Sequence, residues 1–82
     1  MTGNYIGSLF SDETMKENLA RVGTSPSGVP IFEFNFKGDN RRFRGTSAQE
    51  LIKTRPDAVH MDRKTGKLYV EYDKLDVKME EV

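Results

Sequence analysis

The sequence predicts a single small α+β domain built from two antiparallel β-hairpins and two short helices. Three observations carry that expectation. Phe32, Phe34 and Phe36 alternate with Glu33, Asn35 and Lys37, the period-2 pattern of a strand with one buried face. A second alternating pair, Val59 and Met61 then Leu68, Val70 and Tyr72, flanks the polar turn Asp62-Arg63-Lys64-Thr65-Gly66. Two stretches, opening near Ser11 and at Ser47, carry helix-start signals.

Taken in chain order, residues 1–10 mix Thr2, Gly3, Asn4, Gly7 and Ser8 with Tyr5, Ile6, Leu9 and Phe10. That mixture reads as an extended segment, the end of something upstream, with the folded unit spanning residues 11–82. Ser11 or Asp12 can cap a helix whose first turn holds Asp12 and Glu13, favourable at the positive end of the dipole. Met15, Leu19 and Val22 fall on one face of that helix and Gly23 ends it. Thr24-Ser25-Pro26-Ser27-Gly28 is a turn cluster. After the phenylalanine strand, Gly38-Asp39-Asn40 makes a hairpin loop, and Arg42, Phe43 and Arg44 return the chain antiparallel. Ser47 with Glu50 is a capping box for a helix through Ala48, Leu51 and Ile52, which Pro56 stops near Arg55. Val77 and Met79 extend apolar spacing into a charged C-terminus.

Eighty-two residues make one domain with a limited core, since a chain of this size buries only about 60% of its unfolded surface. No cysteine and a single histidine, His60, leave neither a disulfide framework nor a zinc site, so no metal or cofactor is expected and oligomerisation is the remaining source of stability. Thirteen basic and thirteen acidic side chains cancel, which argues against nucleic acid or an anionic membrane as partner. No apolar run approaches the ~20 residues that span a bilayer, and the first residues lack a basic segment followed by a hydrophobic stretch, so no export signal is expected.

The candidate chemistry lies in Ser11-Asp12-Glu13-Thr14-Met15-Lys16-Glu17-Asn18. A serine hydroxyl needs a base to become a nucleophile, and lysine serves when burial lowers its pKa toward neutrality. On one continuous helix Ser11 and Lys16 would sit about 140° apart around the axis. A working dyad therefore requires Ser11 outside the helix, or a lysine from another copy.

Ser11-Asp12-x-x-x-Lys16-x-Asn18-Leu19 resembles the opening signature of the C-terminal intramolecular chaperone domains of phage endosialidases, tailspikes and tail fibres. Further motifs are similar in the same order: Phe34-x-Phe36, Gly45-Thr46-Ser47-Ala48-Gln49-Glu50, Arg55-Pro56-Asp57-Ala58-Val59, and Leu68-Tyr69-Val70-Glu71-Tyr72-x-x-Leu75. The resemblance covers Ser11 to about Leu75. It implies a domain that promotes folding of a homotrimeric fibre and then cuts itself free as a single-turnover serine peptidase. Carried over, the scissile bond is Phe10–Ser11, Ser11 the nucleophile and Lys16 the base, with Asp12 and Asn18 in supporting roles. The partners so implied are copies of the chain and the upstream fibre or tailspike segment. The expected location is the host cytoplasm during phage assembly, or the virion tail if the domain is not released.

Blander readings stand beside these. Ser11 can be a plain N-cap, Lys16 a solvated residue paired with Glu13 or Glu17, and the whole domain a non-catalytic oligomeric module of the same fold. Lys37, Arg41, Arg42 and Arg44 around Phe36 and Phe43 could grip a single-stranded nucleic acid, although a charged edge that discourages aggregation fits the zero net charge better. His60 reads as an ordinary strand or turn residue, and Tyr69 and Tyr72 as core or interface.

Overall fold

A computed structural model describes residues 8–82. The remaining part of the expected extended segment, residues 1–7, lies outside the described residues. Among the described residues, seven strands form two antiparallel sheets. Strands β1 (Ser8–Phe10), β6 (Leu68–Glu71) and β5 (Val59–Met61) make one, in the order β1-β6-β5. The other has the order β2-β3-β4-β7, from Lys16–Thr24, Pro30–Phe36, Phe43–Gly45 and Glu80–Glu81. The α-helix α1 (Ala48–Leu51) and 3-10 turns at Glu13–Met15, Pro56–Ala58 and Tyr72–Lys74 complete an α+β domain.

Both expected hairpins are present. Phe34 pairs with Phe43 across β3 and β4, and Val59 with Val70 across β5 and β6. Phe32 and Phe34 point inward and are buried, as the alternation requires. They meet Val59 and Val70 from the other sheet, Ala48 and Leu51 from α1, and Tyr72, Val77 and Met79 in one core. Phe34, Phe36 and Phe43 pack ring to ring, the Phe34–Phe36 pair edge-on with centroids 5.3 Å apart. The Ser47 hydroxyl caps α1 by accepting from the Glu50 N–H at 3.3 Å, half of the expected capping box.

The helix expected from Ser11 to Val22 does not form. Asp12 does cap, accepting from the Thr14 N–H, but what it caps is one 3-10 turn, after which the chain becomes the nine-residue strand β2. Two causes are visible. Arg21-Val22-Gly23-Thr24 holds three poor helix formers, and β3 offers a partner edge that pairs from Lys16↔Phe36 to Thr24↔Pro30. The apolar spacing of Met15, Leu19 and Val22 was shared by chance with a helix: Val22 stays half exposed. The pairing slips between Glu17 and Ala20, where Asn18 takes φ 55°, a left-handed conformation that asparagine tolerates better than most residues. Past the far end of β2 the predicted turn closes with Gly28 at φ 94° and its N–H on the Ser25 carbonyl. Asp76 ties that turn down by accepting from the hydroxyls of Ser25 and Ser27.

Candidate active site: a buried serine and lysine

Loss of the helix removes the objection to the dyad. Because residues 11–16 run as an extended strand end, a turn and a strand start, Ser11 and Lys16 both face inward, at 0% and 5% exposure. Backbone bonds fix Ser11 at the junction of three elements. Its N–H donates to the Leu68 carbonyl at 3.2 Å, and its carbonyl accepts from the N–H of Ala48, the first residue of α1, at 3.0 Å. The Phe10–Ser11 peptide bond thus lies where β1 ends, Phe10 being in register with Tyr69 of β6. The Ser11 hydroxyl is 2.9 Å from the phenol oxygen of Tyr72.

Lys16 enters the core from the first position of β2. Its ammonium nitrogen donates to the Thr46 carbonyl at 2.7 Å and lies 4.0 Å from the centroid of the Phe34 ring. Burial disfavours the charged form and brings its pKa down from 10.5 to about 7, although the nearby charges of Glu13 and Asp12 pull the other way. A lysine so placed is substantially neutral just above neutral pH and has a lone pair to accept a proton. Thr46 links the two candidates through Tyr72: its carbonyl holds Lys16, and its N–H donates at 3.1 Å to the phenol that contacts Ser11.

The other two named residues separate. Asp12 is buried beside the dyad and accepts from the Thr14 N–H at 2.9 Å, the Thr14 hydroxyl at 2.6 Å and the Leu68 N–H at 2.9 Å. Burial alone would raise its pKa; these hydrogen bonds outweigh that and hold the carboxylate well below its usual range. Asp12 therefore secures the turn that aims Ser11 and Lys16. Asn18 is exposed at the irregularity in β2, where its amide lies 3.5 Å from Asn35 Oδ1 and its carbonyl accepts from the Arg42 guanidinium at 2.7 Å.

The segment Thr46–Gln49 is the cradle for residues 11–16. In succession, Thr46 accepts from Lys16, the Ser47 hydroxyl donates to the Glu13 carboxylate, the Ala48 N–H donates to Ser11, and the Gln49 side-chain oxygen accepts from the Glu13 N–H. Leu68 and Tyr72 close the corner from β6 and the turn after it, and Phe34 lies beneath Lys16. Sequence reasoning had singled out these segments but not the roles of Thr46 and Tyr72. A tyrosine where β6 alternation calls for a core residue was a usable signal, because a buried phenol needs a hydrogen-bond partner.

Away from this corner several charges are paired on the surface. Arg41 binds Asp39 at 2.7 Å, Arg44 binds Glu33 at 2.8 Å, and Arg42 donates to Asn35 as well as to Asn18. His60 lies against Glu71, and its ring packs 5.4 Å from that of Tyr69. Among the described residues no group of three or more His, Cys, Asp or Glu side chains could hold a metal ion, and no helix is long and apolar enough to cross a membrane. Comparison of the chain with models of known families, with curated proteins and with solved structures returned no match.

Proposed function

We propose that this chain is an intramolecular assembly chaperone of the phage tail fibre and tailspike type, which promotes homotrimer folding of an upstream segment and cuts its own Phe10–Ser11 bond once, without cofactor. The observation that carries the cutting step is a fully buried Ser11 linked through Tyr72 and Thr46 to a buried Lys16 whose pKa is lowered to about 7. A surface lysine needs neither that burial nor that pKa.

The chemistry is a single acyl shift followed by hydrolysis. Neutral Lys16 takes the Ser11 hydroxyl proton, and Oγ attacks the Phe10 carbonyl carbon one residue away, so connectivity supplies the proximity. The Phe10–Ser11 C–N bond breaks, Lys16 returns its proton to the departing nitrogen, and an ester joins the two residues. Water then hydrolyses the ester to a Phe10 carboxylate and a free Ser11 amine. On this reading the chain works in the host cytoplasm during assembly and remains on the virion tail only if uncut.

The test is intact mass spectrometry of the 82-residue chain and its Ser11→Ala variant, alone and behind a trimeric fibre segment, followed over time. A fragment beginning at Ser11 in the wild type only is the expected result. An unbroken chain in both, with trimers formed, would leave a non-catalytic folding module. A monomer with salt-dependent nucleic-acid binding would overturn both readings.

A further inference from the structure

We infer that Tyr72 is a third catalytic residue of this site, its phenol donating the hydrogen bond that stabilises the Ser11 oxygen as that oxygen gives its proton to Lys16; the inference rests on the self-cleavage reading.

Tyr72 occupies a core position, 1% exposed, in line with Val70 and Leu68. Phenylalanine would fill that position without a polar group to satisfy, and a buried hydroxyl costs free energy unless it is bonded. The phenol has two close partners, and they differ in kind. The Thr46 N–H can only donate, so at 3.1 Å it occupies an acceptor site on the phenol oxygen. Ser11 Oγ, at 2.9 Å, can receive the phenol proton. With that bond made, the serine oxygen is an acceptor from Tyr72 and its own proton is left for the base.

The backbone is shaped around this hydroxyl. A Cβ at residue 45 would lie 2.8 Å from the phenol oxygen, so a glycine at 45 is what lets the end of β4 close over it. Thr46 then holds the phenol and the base from one residue, its N–H on Tyr72 and its carbonyl on Lys16. Burial raises the Tyr72 pKa above that of a free phenol and outweighs the opposing effect of its contacts with Ser11 and Thr46, so the donor stays protonated where Lys16 is neutral. A hydrogen bond to an anionic oxygen is roughly twice as strong as one to a neutral hydroxyl. The phenol therefore stabilises the developing alkoxide more than the resting serine, which lowers the barrier to proton transfer from Ser11 to Lys16.

The experiment measures the rate of Phe10–Ser11 cleavage by intact mass in the full chain behind a trimeric fibre segment. Wild type is compared with Tyr72→Phe and with 3-fluorotyrosine and 3,5-difluorotyrosine placed at position 72. Tyr72→Phe should slow cleavage about 100-fold, the scale on which one preorganised donor acts. The fluorinated phenols keep the ring and the hydroxyl but donate more strongly, so cleavage should quicken as the phenol becomes more acidic. A purely structural tyrosine would be indifferent to that acidity. Cleavage of Tyr72→Phe at the wild-type rate, or a flat response across the fluorinated series, overturns the inference while leaving the Ser11 and Lys16 reading intact. A wild-type chain that does not cut removes that reading and this inference with it.

Discussion

Lys16 and Arg41 are both cations set over phenylalanine rings of the same aromatic group, 4.0 Å from the Phe34 centroid and 5.3 Å from that of Phe43. Their surroundings push them in opposite directions. Arg41 is exposed and held by the Asp39 carboxylate, which raises its pKa. Lys16 is buried, bonded to a neutral carbonyl, and has lost most of its preference for the charged form. Pairing in water keeps a charge and makes it inert; burial against a carbonyl dipole makes the proton negotiable, even with Glu13 and Asp12 nearby. Only the second arrangement can serve as a base at neutral pH.

The strongest way to break that contrast is to make Lys16 resemble Arg41. Lys16→Arg keeps the charge but cannot give up its proton, and cleavage at Phe10–Ser11 should fall on the order of 10²–10⁴-fold, the usual worth of a general base. In the wild type the rate should climb with pH and level off above about 7, the value to which Lys16 is lowered. A mass-spectrometric time course across pH 5–9 tests both statements, and a rate independent of pH would exclude Lys16 as the base.

A smaller effect appears in stability. The folded pKa of Lys16, about 7, lies below its value of 10.5 outside the fold. Between those values the unfolded chain binds more protons, so stability should increase with pH through that window, with a slope of at most about 1.4 kcal/mol per pH unit. Below about 7 both states are protonated and the full cost of the buried charge persists. Urea titrations at several pH values should show the rise in wild type and its absence in Lys16→Met. Equal pH dependence in the two would mean that Lys16 stays charged in the fold.

The smallest effect is expected at the other cation. Arg41→Ala removes an ion pair in full contact with solvent and should leave the thermal midpoint unchanged within error. A clear drop would mean that the exposed pair carries more than screening allows and would erase the contrast with Lys16.

How far the sequence reached can be traced along β2 and its neighbours. The phenylalanine strand, the two hairpins, the turn at Thr24–Gly28 and the Ser47 cap were legible, because each is written in local alternation or in turn chemistry. Asp12 was legible as a cap, but not as the cap of a single 3-10 turn that leads into a strand. A spacing of four and then three apolar residues fits a helix, and nothing local in Met15–Val22 announces that the edge of β3 will be free to pair. Ser11 and Lys16 could be named as candidates from their residue types and from the resemblance. Their burial, and with it the lowered lysine pKa, could not be named.

By itself, then, the sequence determined an α+β domain of two predicted hairpins, a core centred on phenylalanines, and a serine and lysine five positions apart. Only the tertiary structure decided that those two face one corner, that Thr46 spans from Lys16 to Tyr72, and that a phenol rests on the serine oxygen. The physical reason is range. Alternation, capping and turn propensity act over a few residues, whereas the desolvation of Lys16 and the satisfaction of the Tyr72 hydroxyl depend on partners 30 and 61 positions away, which folding alone brings together.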